Sequence, residues 1–260
     1  MSPIVRGTST DAPHQGVEAP ASDAARRTPP LEYDEIPLPL RKRVFDIVVT
    51  SLTSPIWLPC FVVGCVANRV FAGSPIFYRS LRRVGGHRSA NVVKFRTMVR
   101  NADAIANRKT VPVEKQRFLN IASDSPLYTG VGRWIERLHF TEVPQFLQVL
   151  RGELSIVGNR PLPEDVIDAL REKHPDVQSR FDVRCGMTGP IQLVGRNAIS
   201  DRDRLELEAE YCRVVARNYS VLLDALILAL TLPVALGVVR SLTVEQTREL
   251  VRRFSRPESA

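Results

Sequence analysis

Leu138-His139-Phe140-Thr141-Glu142-Val143-Pro144-Gln145-Phe146-Leu147 runs on into Arg151-Gly152-Glu153-Leu154-Ser155-Ile156-Val157-Gly158-Asn159-Arg160-Pro161. The first half sets a carboxylate, Glu142, just before a proline turn. A short amphipathic helix follows, and a second turn then carries glycine, arginine and proline. This layout suits an anionic, metal-bound substrate. A carboxylate offers hard oxygen ligands to a divalent cation, and an arginine at a proline-set turn can grip phosphate oxygens bidentately.

The rest of the chain bounds what surrounds that stretch. Its 260 residues, 44% of them hydrophobic, can support one compact domain with additions. A formal net charge of +8 suits nucleic acid, an anionic membrane face or anionic small substrates. With no RNA or DNA motif present, a nucleic-acid partner is not expected. Cys60, Cys65, Cys185 and Cys212 have no metal-ligand spacing and read as reduced thiols.

Residues 1–39 are rich in Ser, Ala, Pro and charge, and read as a disordered arm. Arg41-Lys42-Arg43 then opens an apolar run from Val44 to Ala67. Basic residues at the start of such a run mark the cytoplasmic side and favour anionic headgroups. At about 20 residues the run is long enough to cross a bilayer. Ser54-Pro55 and Pro59 bend it, so residues 40–72 are either a re-entrant helix or a kinked spanning helix. Ile76-Phe77-Tyr78 and Asn91-Val92-Val93-Lys94-Phe95 read as β-prone runs around a cationic turn, Arg79–Gly86. Lys94 and Arg96, two apart on a strand, can face one anion, although such a pair taken alone is more often a solvated face. Val99–Asn120, Asp203–Asn218 and the basic tail 241–260 read as helical. Val221–Val239 is a second apolar stretch, interrupted by Asp224 and Pro233.

Thr141–Pro161, Arg83-Val84-Gly85, Lys94-Phe95-Arg96-Thr97-Met98 and Gly186-Met187-Thr188-Gly189 with Gln192 and Gly195-Arg196-Asn197 together resemble the bacterial sugar transferase family, the small monotopic phosphoglycosyl transferases. Lys42-Arg43-Val44-Phe45-Asp46 and Ser54-Pro55 match that family's re-entrant segment. The resemblance implies an α/β catalytic domain over residues 73–240, with helices around a small β-hairpin, seated on the cytoplasmic face of the inner or cytoplasmic membrane. It also implies Mg²⁺, a nucleotide-diphosphate sugar and a polyprenyl phosphate acceptor, in contact with membrane lipid and compatible with a homo-oligomer. Glu142 would be the metal ligand. Arg83, Lys94, Arg96, Arg133, Arg160, Gln192 and Arg196 would form the substrate-binding set.

The chain departs from the family at Thr141, which stands where the family has its nucleophilic Asp, and at Glu136, where the family carries Arg. A threonine hydroxyl is a weak nucleophile without a base, whereas a carboxylate needs none. Three readings follow. The acceptor attacks the diphosphate directly, with Thr141 a hydrogen bonder and the acceptor open to be something other than a polyprenyl phosphate. Alternatively, Thr141 forms the phosphosugar ester. In the third, the chain is a catalytically inactive homologue that binds nucleotide sugar or serves as a scaffold. His139 as the activating base is disfavoured, because two residues along a helix do not share a face.

Overall fold

The computed structural model describes residues 36–105, 125–194 and 199–255. The arm up to residue 35, residues 106–124, Arg196 with its neighbours and the last five residues lie outside this set.

The apolar run forms two helices, α1 (Leu40–Leu52) and α2 (Ser54–Ala67), with α2 extended by a π-helical turn at Asn68–Ala72. They meet at Thr53, and Pro55 occupies the first turn of α2, where a missing backbone donor costs no intrahelical bond. Ser54–Ala72 is long and apolar enough to cross a membrane, and most of it is not buried in the protein.

The inner face of α1 is polar. Lys42, Asp46 and Thr50, spaced four apart, are fully buried, while Val44, Ile47, Val48 and Leu52 point outward. This inverts the order of a helix lying on a water-soluble domain. The two charged groups are satisfied: Lys42 donates to Asp224, Tyr211 and the Val157 carbonyl, and Asp46 accepts from Ser155 Oγ and Ile156 N. Arg43 donates to the Val149 and Leu150 carbonyls. Two members of the basic triplet are thus committed inside the protein, against the headgroup contact expected of them.

An antiparallel hairpin follows, β1 (Phe77–Gly85) and β2 (Arg88–Phe95), with Tyr78 opposite Lys94 and Arg82 opposite Ala90. The basic residues expected in its turn lie in β1, and the turn itself is Gly86-His87. Next come α3 (Ala102–Ile105), α4 (Gly130–Arg137), a 3-10 turn at Phe140–Glu142, α5 (Gln145–Arg151) and β3 (Ser155–Val157). After α6 (Glu164–Arg171) and a 3-10 segment at Pro175–Phe181, β4 (Gly186–Thr188) pairs parallel with β3. The chain closes with α7 (Pro190–Val194), α8 (Asp201–Asn218), α9 (Val221–Ala235) and α10 (Val244–Arg253).

The main core gathers Val84, Leu154, Ile167, Phe181, Leu207, Tyr211, Leu223 and Val251 from both strand pairs and the C-terminal helices. A second cluster of Trp57, Phe95, Ile135 and Val143 joins α2 to the hairpin and the start of α5, with Trp57 stacked on Phe146 at 5.4 Å. The β3–β4 contact is backbone on backbone. A Cβ at Gly186 would lie 2.3 Å from Gly158 N, so the close approach of β4 to the end of β3 requires glycine there.

Candidate active site

Four elements converge on Glu142. Thr129 caps α4 by accepting from Gly132 N at 3.0 Å, and just past the end of α4 the chain turns left-handed at His139, φ 58°. That turn starts the 3-10 segment bearing Thr141 and Glu142. Gln148, buried on α5, fixes this unit to the hairpin: its Oε1 accepts from Val93 N and its Nε2 donates to the Asn91 carbonyl. Lys94 on β2 is thereby brought to 2.6 Å from Glu142 Oε1. Arg160, from the turn after β3, reaches the same oxygen at 2.6 Å. Arg82 and Gln145 complete the cleft, together with Val92, Pro161 and Gly186.

Burial works to raise the Glu142 carboxyl, but Arg160 and Lys94 together overcome it and hold the group well below the ordinary carboxylate range. Burial likewise lowers Lys94, and the nearby Arg160 and Arg82 reinforce this against the pull of Glu142. Arg82 is lowered by its burial and by Arg160. Three cations therefore share one carboxylate, an excess of positive charge that favours an incoming polyanion. The Gln145 side chain is 3% exposed and its Nε2 has no partner among the described residues, which leaves an amide donor at the cleft for a phosphate oxygen.

The donor set fits a divalent cation of modest protein coordination. Both cationic partners bind Oε1 of Glu142, and Oε2 carries no hydrogen bond among the described residues. No cluster of three or more His, Cys, Asp or Glu side chains is found among the described residues. A divalent cation held by one or two carboxylates, with substrate phosphates and waters filling the other positions, would fit this donor set.

Of the expected substrate-binding set, Lys94 and Arg160 meet at Glu142, and the other described members stand apart. Arg83 faces the opposite side of the hairpin from Lys94, where it pairs bidentately with Glu164 and donates to Gln178. Arg96 lies past the end of β2, so strand parity no longer governs it, and it donates to the Ala72, Gly73, Pro75 and Met98 carbonyls. Arg133 reaches the Ser125 carbonyl at 3.4 Å. Gln192 sits on α7, with its backbone N–H bound to the Gly189 carbonyl. Arg196 falls outside the described residues. Arg82 and Gln145 were missed, and Glu136 was noted only as a departure from the family. Arg82 shares a face with Lys94, a signal readable only once the hairpin register is known. Thr141 Oγ1 donates to Glu136 Oε2 at 2.9 Å.

Comparison with known proteins gives the family. The model of the bacterial sugar transferase family matches residues 38–237. The exopolysaccharide production protein ExoY of Sinorhizobium fredii is 33% identical over 201 residues, covering 75% of this chain and 84% of that protein. The uncharacterized sugar transferase EpsL of Bacillus subtilis is 35% identical over 197 residues, covering 73% and 84%. An Aeromonas hydrophila UDP-N-acetylgalactosamine-undecaprenyl-phosphate N-acetylgalactosaminephosphotransferase is 29% identical over 193 residues, 74% of this chain and 42% of that protein. The chain belongs to the bacterial sugar transferase family, membrane-associated enzymes of the sugar-phosphate transferase kind that are generally dependent on a divalent metal.

Proposed function

We propose that this chain transfers a sugar 1-phosphate from a nucleotide-diphosphate sugar to a polyprenyl phosphate at the cytoplasmic membrane face and releases a nucleoside monophosphate. The observation that carries this reading is the sharing of Glu142 Oε1 between Lys94 and Arg160, with Arg82 and the unpartnered Gln145 amide beside them. Such a cluster has the charge and donors to bind a diphosphate, and Glu142 Oε2 is the oxygen offered to Mg²⁺. A bound magnesium ion would neutralise diphosphate charge and help orient the donor. Lys94, Arg82 and Arg160 would hold the non-bridging oxygens in place and stabilise the charge that develops as the bridging bond breaks. The undecaprenyl-phosphate transferases among the relatives support the lipid acceptor. The outward apolar faces of α1 and α2 support a site beside the lipid, with residues 40–72 as a re-entrant segment.

The test is nucleoside monophosphate release by the purified chain in lipid nanodiscs with magnesium, undecaprenyl phosphate and a panel of UDP-sugars. Release that depends on the acceptor supports the reading. Nucleotide-sugar binding without release under any combination would favour the inactive homologue instead.

A further inference from the structure

We infer that Glu136 and Thr141 form a base–nucleophile pair, so that this chain transfers its phosphosugar through an ester on Thr141. The inference rests on the transferase reading and supplies its route. Without a base Thr141 would be a weak nucleophile, which favours direct attack by the acceptor; Glu136 stands where such a base is needed. Thr141 Oγ1 donates to Glu136 Oε2 at 2.9 Å, within the reach required of a nucleophile and its base. Both side chains are half-buried, at the junction of α4 and the 3-10 turn. Thr141 is followed directly by Glu142, the centre of the cationic cleft, and the Glu136 charge acts on Arg160. His139, the other candidate base, is exposed and has no side-chain bond to Thr141 among the described residues.

In the first step the Thr141 Oγ1–phosphorus bond forms at the sugar-bearing phosphate and the bond to the bridging oxygen breaks. The nucleoside monophosphate leaves with that electron pair, and the hydroxyl proton passes to Glu136. In the second step an oxygen of the polyprenyl phosphate attacks the same phosphorus. The Oγ1–phosphorus bond breaks, and Glu136 returns its proton to Oγ1. An alkoxide is a far poorer leaving group than a carboxylate, so a threonine ester needs this acid where an acyl phosphate needs none. A carboxylate beside the hydroxyl thus serves both half-reactions.

The test uses the full chain in nanodiscs with magnesium and UDP-glucose, UDP-galactose or UDP-N-acetylgalactosamine labelled in the β-phosphate, first without acceptor. Label is expected on the peptide containing Thr141, stable to neutral hydroxylamine, and discharged by undecaprenyl phosphate. Glu136→Gln is expected to slow labelling by about 100-fold or more with KM for the donor little changed. Thr141→Asp is expected to give a hydroxylamine-labile adduct that forms without help from position 136, which shows that the site is intact. Labelling of Glu136→Gln at the parental rate, a labile adduct on Glu136 itself, or acceptor-dependent UMP release with no adduct would each overturn the pair. The last of these would leave the transferase reading standing. Absence of UMP release with every donor and acceptor would instead bring down both.

Discussion

Arg180 donates from Nη2 to the carbonyl oxygen of Arg160 at 2.9 Å, while its Nε and Nη2 hold the two oxygens of Glu208 at 2.6 and 2.8 Å. The fully buried Arg180–Glu208 pair therefore fixes the turn from which Arg160 reaches Glu142. Glu208→Ala leaves a buried guanidinium unpaired and is expected to cost about 3–5 kcal/mol, read as a shift in the unfolding midpoint in detergent. Burial opposes ionisation of Glu208, but Arg180 overcomes it and the carboxyl lies below its ordinary value of 4.5. A carboxyl lowered in the folded state stabilises fully above the unfolded value and loses that contribution as pH falls through the folded one. The parent's advantage over Glu208→Gln should accordingly be full above about pH 4.5 and shrink in stronger acid.

Glu142 stays ionised far below the ordinary carboxylate range, so it cannot generate the acid limb of a pH–rate profile near neutrality. Lys94 sits on the other side. Its folded value is lowered from 10.5, so its charge, and with it diphosphate binding, is lost as pH rises before an ordinary lysine would titrate. We expect kcat/KM to fall on an alkaline limb below 10.5, and Lys94→Arg to move that limb to higher pH while keeping measurable turnover. A profile unchanged by Lys94→Arg would remove Lys94 from the diphosphate site. Glu142→Gln should lower kcat by about 100-fold or more, as loss of a group that organises charge around the reacting phosphate does.

The hairpin, the α5 helix and the long α8 were readable from periodicity; Glu142 and Arg160 were singled out beside their prolines, and Lys94 through the family resemblance of its strand. What escaped was set by pairings far apart in sequence. Which arginine of Arg82-Arg83 faces Lys94 depends on strand register, and a one-residue shift exchanges the faces. Glu164 and Gln178 claim Arg83 from elements about 80 and 95 positions away. Close approach needs glycine whether the neighbour is a ligand or another strand, and in the Gly-Met-Thr-Gly loop it is the β3–β4 pairing that supplies the strand.

Gly186→Ala tests that distinction. The added methyl would lie 2.3 Å from Gly158 N and 2.6 Å from the Val157 carbonyl carbon, all backbone and unable to yield cheaply. Overpacking of this kind is expected to cost about 1–3 kcal/mol and to spread the turn that carries Arg160. A lowered melting temperature together with a raised donor KM is the expected outcome. Loss of nucleotide affinity at unchanged stability would instead return the loop to a direct substrate role.

Lys42 carries the final prediction, since the sequence placed it at the lipid headgroups and the structure places it in the core. Its Nζ is 2.6 Å from Asp224 Oδ2, both side chains are fully buried, and Tyr211 and Tyr219 complete the carboxylate's bonds. Lys42→Met strands a buried carboxylate and is expected to cost about 3–5 kcal/mol. The double variant Lys42→Met with Asp224→Leu should recover much of that loss, because removing both charges removes the unpaired one. Recovery of the double variant in vesicle flotation should match the parent, since the outward Val44, Ile47 and Leu52 of α1 are untouched. A headgroup role for Lys42 predicts the reverse, with stability near that of the parent and flotation reduced in both variants.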